Sequence, residues 1–244
     1  AATGKPLLEV RGLGRHGEYE DINLSIQPGE IVGLTGRLGA GRTELALSLF
    51  GMTRPDAGEI WLDGQKLFLR TNRDAIAAGI AYVSEDRLSL GLIQRQSISD
   101  NMAVTVLDKL RGFFGLLSPR KQSDMINTWV DRLRVKIGSP ANPISSLSGG
   151  NQQKIVLAKW METDPKLLIL DSPTVGVDVG ARAGIFEIVE NLAAQGMAIL
   201  LISDESQEVY FNAERVLHMR DGRLIEEFTP ADTPIEQIEE AIYA

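Results

Sequence analysis

Ile31-Val32-Gly33-Leu34-Thr35-Gly36-Arg37-Leu38-Gly39-Ala40-Gly41-Arg42-Thr43-Glu44-Leu45-Ala46-Leu47-Ser48-Leu49-Phe50 is the stretch that decides the fold. The apolar run Ile31 to Thr35 predicts a buried strand, and Glu44 to Phe50 predicts a helix. The turn between them carries glycines at 36, 39 and 41. Strand, glycine-rich turn and helix in that order are the setting of a phosphate-binding loop. The glycines let main-chain N–H groups close on a phosphate, and the new helix adds its positive end. Gly36, Arg37, Gly39, Ala40, Gly41, Arg42 and Thr43 are the candidate phosphate ligands, with the Thr43 hydroxyl placed to reach Mg²⁺. A plain glycine-rich turn is the competing reading, and it leaves the flanking strand and helix unexplained.

Outward from this stretch, short apolar or β-branched runs recur at 7–10, 22–26, 59–62, 80–83, 167–170, 198–202 and 215–219. Strands alternating with helical patterns predict an α/β fold with a mainly parallel sheet. The early strands, and a pair around Asp221-Gly222, are expected to be antiparallel additions. From 90 to 160 the strand signal fades into helical patterns: one beginning near Ser97, one over 121–135 and one over 152–162. This is read as a helical lobe inserted in a single domain spanning 1–244. Within it, 112–119 is apolar but broken by glycine and proline, so it reads as an irregular connection whose aromatics pack in the core.

The bulk composition narrows the partners. There are 33 acidic against 25 basic residues, a net charge of −8, and such a field repels nucleic acid. No uninterrupted apolar run approaches the ~20 residues of a membrane-spanning helix. There is no cysteine, so disulfides and thiolate metal sites are excluded. Ala1 to Lys5 has no apolar signal core and reads as a linker tail. His16 and His218, the two histidines, are expected at the surface or in packing rather than in catalysis.

Two further stretches carry chemistry. In Leu147-Ser148-Gly149-Gly150-Asn151-Gln152-Gln153-Lys154, Ser148 can cap a helix, while Gly149 and Gly150 leave N–H donors uncovered for an anion. An ordinary cap explains the serine but not the double glycine. In Leu167-Leu168-Ile169-Leu170-Asp171, a carboxylate ends a strand that is otherwise apolar, where a charge has little reason to be unless it has a task.

Together these stretches resemble the nucleotide-binding domain of ABC transporters, with a P-loop NTPase core, over about 7–228. Gly39 to Glu44, Ser84 to Arg87, Ser148 to Gln153 and Gly176 to Ala181 narrow the resemblance to the C-terminal half of tandem ATPases that power monosaccharide importers, such as those for ribose and galactose. The resemblance implies ATP and Mg²⁺ as cofactors, with Thr43 and Asp171 on the metal. It also implies a second nucleotide-binding domain, fused N-terminally in the full protein and paired head to tail. A membrane permease would hold the protein on the cytoplasmic face of the membrane. Ser148, Gly149 and Gly150 would then grip the γ-phosphate of ATP bound to the partner domain, and Asp178 takes the place of that family's D-loop aspartate.

Four positions depart from the family pattern. Arg42 stands where lysine is usual, and its planar fork cannot take the same point between two phosphates. Ser172 replaces a glutamate that polarises water, and a serine hydroxyl is too weak a base to do so. Asp204 replaces a phosphate-sensing histidine, and Glu85 a glutamine. Asp171, Ser172, Asp204 and Glu85 are thus the catalytic positions of a site expected to be impaired, beside an intact Ser148 to Gln153. A non-hydrolysing nucleotide-binding regulator or scaffold is the alternative. A P-loop kinase or GTPase leaves Leu147 to Asn151 unexplained.

Overall fold

All eight predicted strand runs form strands in the computed structural model, which describes residues 4–112 and 116–243. They are β1 (Leu8–Arg15), β2 (Tyr19–Ile26), β3 (Ile31–Thr35), β4 (Ala57–Leu62), β6 (Ile80–Val83), β7 (Leu167–Asp171), β8 (Ala198–Ile202) and β9 (Arg215–Arg220). The short β5 (Gln65–Lys66) and β10 (Arg223–Phe228) join them. One sheet is antiparallel, in the order β2-β1-β4-β5. The other has six strands in the order β10-β9-β3-β8-β7-β6. Its centre is parallel, with Ile31 opposite Ile199 and Leu167 opposite Ala198, and β10 turns back antiparallel on β9. Every residue of β3, β7 and β8 is buried. Continuous apolar runs belong in such strands because both faces of the sheet are covered.

The chain divides into two compact units, one of Ala1–Tyr82, Pro165–Ser172 and Val189–Ala244, the other of Val83–Asp164 and Pro173–Ile188. The first holds both sheets and the helices α1 (Arg42–Leu49), α2 (Asn72–Ala78), α7 (Ser206–Asn212) and α8 (Ile235–Tyr243). The second holds a π-type turn at Arg87–Gly91, then α3 (Ile98–Ala103), α4 (Pro119–Arg132), a 3₁₀ turn at Ile144–Ser146 and α5 (Gly149–Met161). α6 (Val179–Ala194) begins in the second unit and ends in the first.

The helix boundaries follow local chemistry. Ser97 accepts from the Asp100 N–H at 2.9 Å and starts α3, as a capping serine does. Ser118 caps α4 ahead of Pro119, and proline suits a first helical position. α4 buries Met125, Ile126 and Trp129 on one face. It stops at Arg132 rather than Val135 because Arg134 takes a left-handed φ of 49°. α5 begins at Gly149, three residues before the predicted start, since two glycines with poor helix propensity hide a first turn that Ser148 caps. In the irregular connection Arg111 bridges Leu117, while Phe113, Phe114 and Gly115, with the packing role expected of those aromatics, lie outside the described residues.

Candidate functional site

The first unit gathers its candidate residues where three adjacent parallel strands end. β3 leads into the turn Gly36 to Gly41, β7 ends on Asp171, and β8 ends one residue before Ser203-Asp204. The Ser203 N–H donates to Leu34 O at 3.2 Å, and the Ser172 N–H to Ile202 O at 2.8 Å. These bonds tie the three strand ends together. The carboxyl edge of an open α/β sheet is where such folds bind ligands.

The turn itself is braced from below and open above. A Cβ on Gly36 would lie 2.1 Å from Met219 O, and one on Gly41 2.7 Å from Glu18 O. No side chain other than hydrogen fits at either place. Gly41 also takes φ 102° as it opens α1, and no side chain caps that helix. Its first-turn N–H groups therefore keep their donor capacity toward the turn. The Gly222 N–H donates to Ala40 O at 2.9 Å, and the Glu20 N–H to Gly222 O at 2.9 Å, so the two flanking hairpins support the turn from outside. Arg37, Leu38 and Gly39 face solvent, with Leu38 94% exposed. A cradle of main-chain donors that excludes side chains and stays accessible fits a phosphate group.

Arg37 is placed differently from its neighbours. Its Nε donates to Ile242 O at 3.0 Å and its Nη2 to Tyr243 O, at the carboxyl end of α8. Arg220 donates to Ala241 O at 2.7 Å in the same place. The Arg37 guanidinium thus neutralises a helix end, which leaves its main chain, rather than its charge, to the turn. Arg42 and Thr43 are half-buried in the first turn of α1.

Asp171 is 1% exposed, and its Oδ2 accepts from the Tyr82 hydroxyl at 3.0 Å. A buried carboxylate at this edge, held by a neutral donor, suits a divalent cation. Ser172 has a left-handed φ of 49°, a conformation that costs a non-glycine residue free energy and clusters at functional sites. Asp204 is exposed beside Ser203, whose hydroxyl donates to Glu208 at 2.8 Å.

The sequence reading passed over an open cleft of about 630 Å³ beside the turn. His16, Glu18, Tyr19, Gly39, Asp56 and Gly222 are among the residues lining it. The His16 N–H donates to Asp56 Oδ2 at 2.7 Å. A cleft of this size suits a small ligand. His16 sits in the tight turn between β1 and β2, so a hairpin signal could have located it, but nothing local showed that the hairpin meets Gly39.

The second unit holds the other candidates. Ser148 is exposed and caps α5, accepting from the Asn151 side chain at 3.1 Å and from its N–H at 3.4 Å. Behind it, a Cβ on Gly149 would lie 2.5 Å from Gly176 O, and one on Gly150 2.7 Å from the Ala181 Cβ. The double glycine thus has a packing cause that sequence alone did not reveal: the helix start presses on 176–181. Asp178 accepts from the Ala181 N–H at 3.1 Å and opens α6. Glu85 is exposed ahead of the π-type turn, which Asp86 caps through the Ser89 N–H at 3.0 Å. The role of Arg87, which follows, was also missed.

The model of the family described as "ABC transporter" matches residues 19–175. Ribose import ATP-binding protein RbsA 2 of Rubrobacter xylanophilus is 44% identical over 235 residues, covering 96% of this chain and 45% of that protein. Ribose import ATP-binding protein RbsA of Halalkalibacterium halodurans is 45% identical over 222 residues, covering 91% of this chain and 44% of that protein. The chain therefore spans under half the length of these relatives. Among solved structures, cbiO1 from Clostridium perfringens, part of the ABC transporter complex cbiONQ, superposes with a TM-score of 0.79 at 20% identity, over 98% of this chain and 93% of that one. A nucleotide-free ATP-binding cassette from an ABC transporter gives 0.78 at 19% identity, over 98% and 96%. At such identities the superpositions speak for the fold.

Proposed function

The chain belongs to the ABC transporter family, and from that premise we propose that it is a nucleotide-binding ATPase domain powering sugar import, with an impaired site of its own and an intact signature that serves a partner. The observation that carries this reading is the split between two sets of residues. Gly36 to Thr43 form an accessible, helix-backed cradle, whereas the positions that would complete catalysis beside it are Ser172 and Asp204. Ser148, by contrast, stands exposed at a capped helix start.

In this reading Gly36 to Thr43 would hold the phosphates of ATP, and the cleft at His16 and Tyr19 would take its nucleoside. Thr43 and Asp171 would hold Mg²⁺, with the Tyr82 hydroxyl fixing the rotation of the Asp171 carboxylate. When bound, Mg-ATP supplies the phosphoryl bond whose cleavage drives transport. Ser172 is too weak a base to activate water, and Asp204 would set a negative charge near the γ-phosphate. Turnover therefore falls to the partner's site, which Ser148, Gly149 and Gly150 complete with uncovered N–H donors. Residues 1–244 act as one nucleotide-binding domain, with 90–160 as the lobe that carries the signature. The partner is a second such domain, fused N-terminally in the full protein, and a permease holds the pair at the cytoplasmic face of the membrane. The relatives named for ribose import support a monosaccharide as cargo.

Calorimetric titration with Mg-ATP, with ATPase assays of the chain alone and joined to its neighbouring domain and permease, tests this. Binding without appreciable turnover alone, and sugar-stimulated turnover in the assembly, are expected. Association with soluble partners only, with no turnover in any combination, would favour a regulatory scaffold instead.

A further inference from the structure

Arg87 is a buried cation without an ion-pair partner among the described residues. It is 7% exposed, and burial lowers its pKa from the ordinary arginine value. Burying such a charge costs free energy. The guanidinium meets main-chain carbonyls instead: Nη2 donates to Gly176 O at 2.8 Å, and Nη1 donates to Val175 O. The same Nη2 lies against the signature, since a Cβ on Gly149 would lie 2.9 Å from it. Gly176 is in contact with both, because a Cβ there would lie 3.2 Å from Nη2 and its carbonyl faces Gly149 at 2.5 Å from the same kind of added carbon.

The backbone that delivers Arg87 is pinned independently. Asp86 caps its π-type turn, and the buried Lys159 of α5 donates to Gly91 O at 2.5 Å at the other end. A π-type turn is a rare conformation that is often retained for function. Here it aims one side chain inward while Glu85, Leu88 and Leu90 stay exposed.

We infer that Arg87 is a positioning residue that clamps the Val175-Gly176 carbonyls against the start of α5, so that the signature at Ser148 to Gly150 and the segment reaching Asp178 move as one body. This rests on the reading that the signature serves a partner site. A planar fork with two parallel N–H donors can hold adjacent carbonyls together, and a lysine ammonium at the same place cannot fix both. Arg87 touches neither nucleotide nor metal in this scheme; it acts through the loop it holds.

The test compares Arg87→Lys and Arg87→Met in two measurements. Hydrogen–deuterium exchange of the chain itself should become at least tenfold faster at the hydrogen-bonded amides of Asn151 and Gln152 and of Val177 in Arg87→Lys, with the rest of the second unit unchanged. Turnover of the full assembly should lose at least tenfold in kcat, with KM for Mg-ATP within twofold, because the partner's nucleotide is held mainly by the partner's own loop. Should Arg87→Met fail to fold, Arg87→Lys carries the test, since it keeps the charge. Unchanged exchange at either segment, a wild-type kcat in Arg87→Lys, or a kcat that falls only in step with thermal stability would overturn the inference. Ser148→Arg in the same assembly separates the two claims. If Ser148→Arg leaves turnover intact, the signature reading fails, and the exchange result still judges the clamp. If Ser148→Arg abolishes turnover while Arg87→Lys is silent in exchange and in kcat, only the clamp fails.

Discussion

Replacing Lys159 with methionine should stabilise the protein at neutral pH and destabilise it at high pH. Lys159 is 6% exposed, and burial pushes its pKa down from 10.5 to about 8. The native state therefore holds fewer protons at this site than the unfolded chain between about pH 8 and 10.5, so this group's contribution to stability rises with pH across that window. At pH 7, keeping the ammonium charged in the fold costs about 3 kcal/mol, at ~1.4 kcal/mol per tenfold change in proton affinity. Lys159→Met removes that cost but leaves the Gly91 carbonyl without its donor, a loss of roughly 1 kcal/mol. The net gain is about 2 kcal/mol at pH 7, and it reverses to a loss of about 1 kcal/mol near pH 10.5, where the wild-type amine is neutral and still donates. Urea denaturation of both proteins across pH 6 to 10.5 reads this as a difference that changes sign. A methionine variant less stable at pH 7, or a difference that does not vary with pH, would refute the reasoning.

Other changes address the two candidate sites. Gly149→Ala puts a carbon 2.5 Å from Gly176 O; an overpacking cost of about 1–3 kcal/mol should exceed the ~1 kcal/mol gain in helix propensity, so the melting temperature should fall, and a rise would contradict the packing described. Tyr82→Phe deletes the donor to Asp171 and should cost about 1 kcal/mol while weakening the Mg²⁺ dependence of ATP affinity; an unchanged metal dependence in calorimetry would separate Asp171 from the cation. His218 is 1% exposed in β9, and burial, helped by the nearby Arg220, lowers its pKa. The unfolded chain takes up this proton first as pH falls through about 6.5, so stability should drop there; His218→Gln should flatten that drop in denaturation curves, and an equally steep drop would exclude His218 as its source.

Much of this was legible in the residues because it depends on local pattern. The run Leu167 to Leu170 read as a buried strand, and the glycines at 36, 39 and 41 announced a turn, in which positions 36 and 41 leave no room for a side chain. What stayed hidden depends on contacts between distant segments. The double glycine at 149 and 150 reads locally as an opening for an anion, and a second demand on it, the close approach of Gly176 and Ala181, became visible only in the fold. Arg37 belonged to the turn by position, yet its guanidinium lies against a helix end some two hundred residues away, at Ile242. Arg87 gave no local signal because its burial depends on carbonyls at Val175 and Gly176. The end of α4 was misjudged because the left-handed conformation at Arg134 is not announced by a glycine or asparagine.

The division of labour between the two motifs is tested most directly by steady-state ATP turnover of this chain assembled with its neighbouring nucleotide-binding domain. Ser148→Arg should abolish most of the activity, since it fills the exposed helix start that serves the partner, whereas Arg42→Ala should leave most of it in place. Full activity in Ser148→Arg together with its loss in Arg42→Ala would place the working site on this chain's own loop and contradict the proposal.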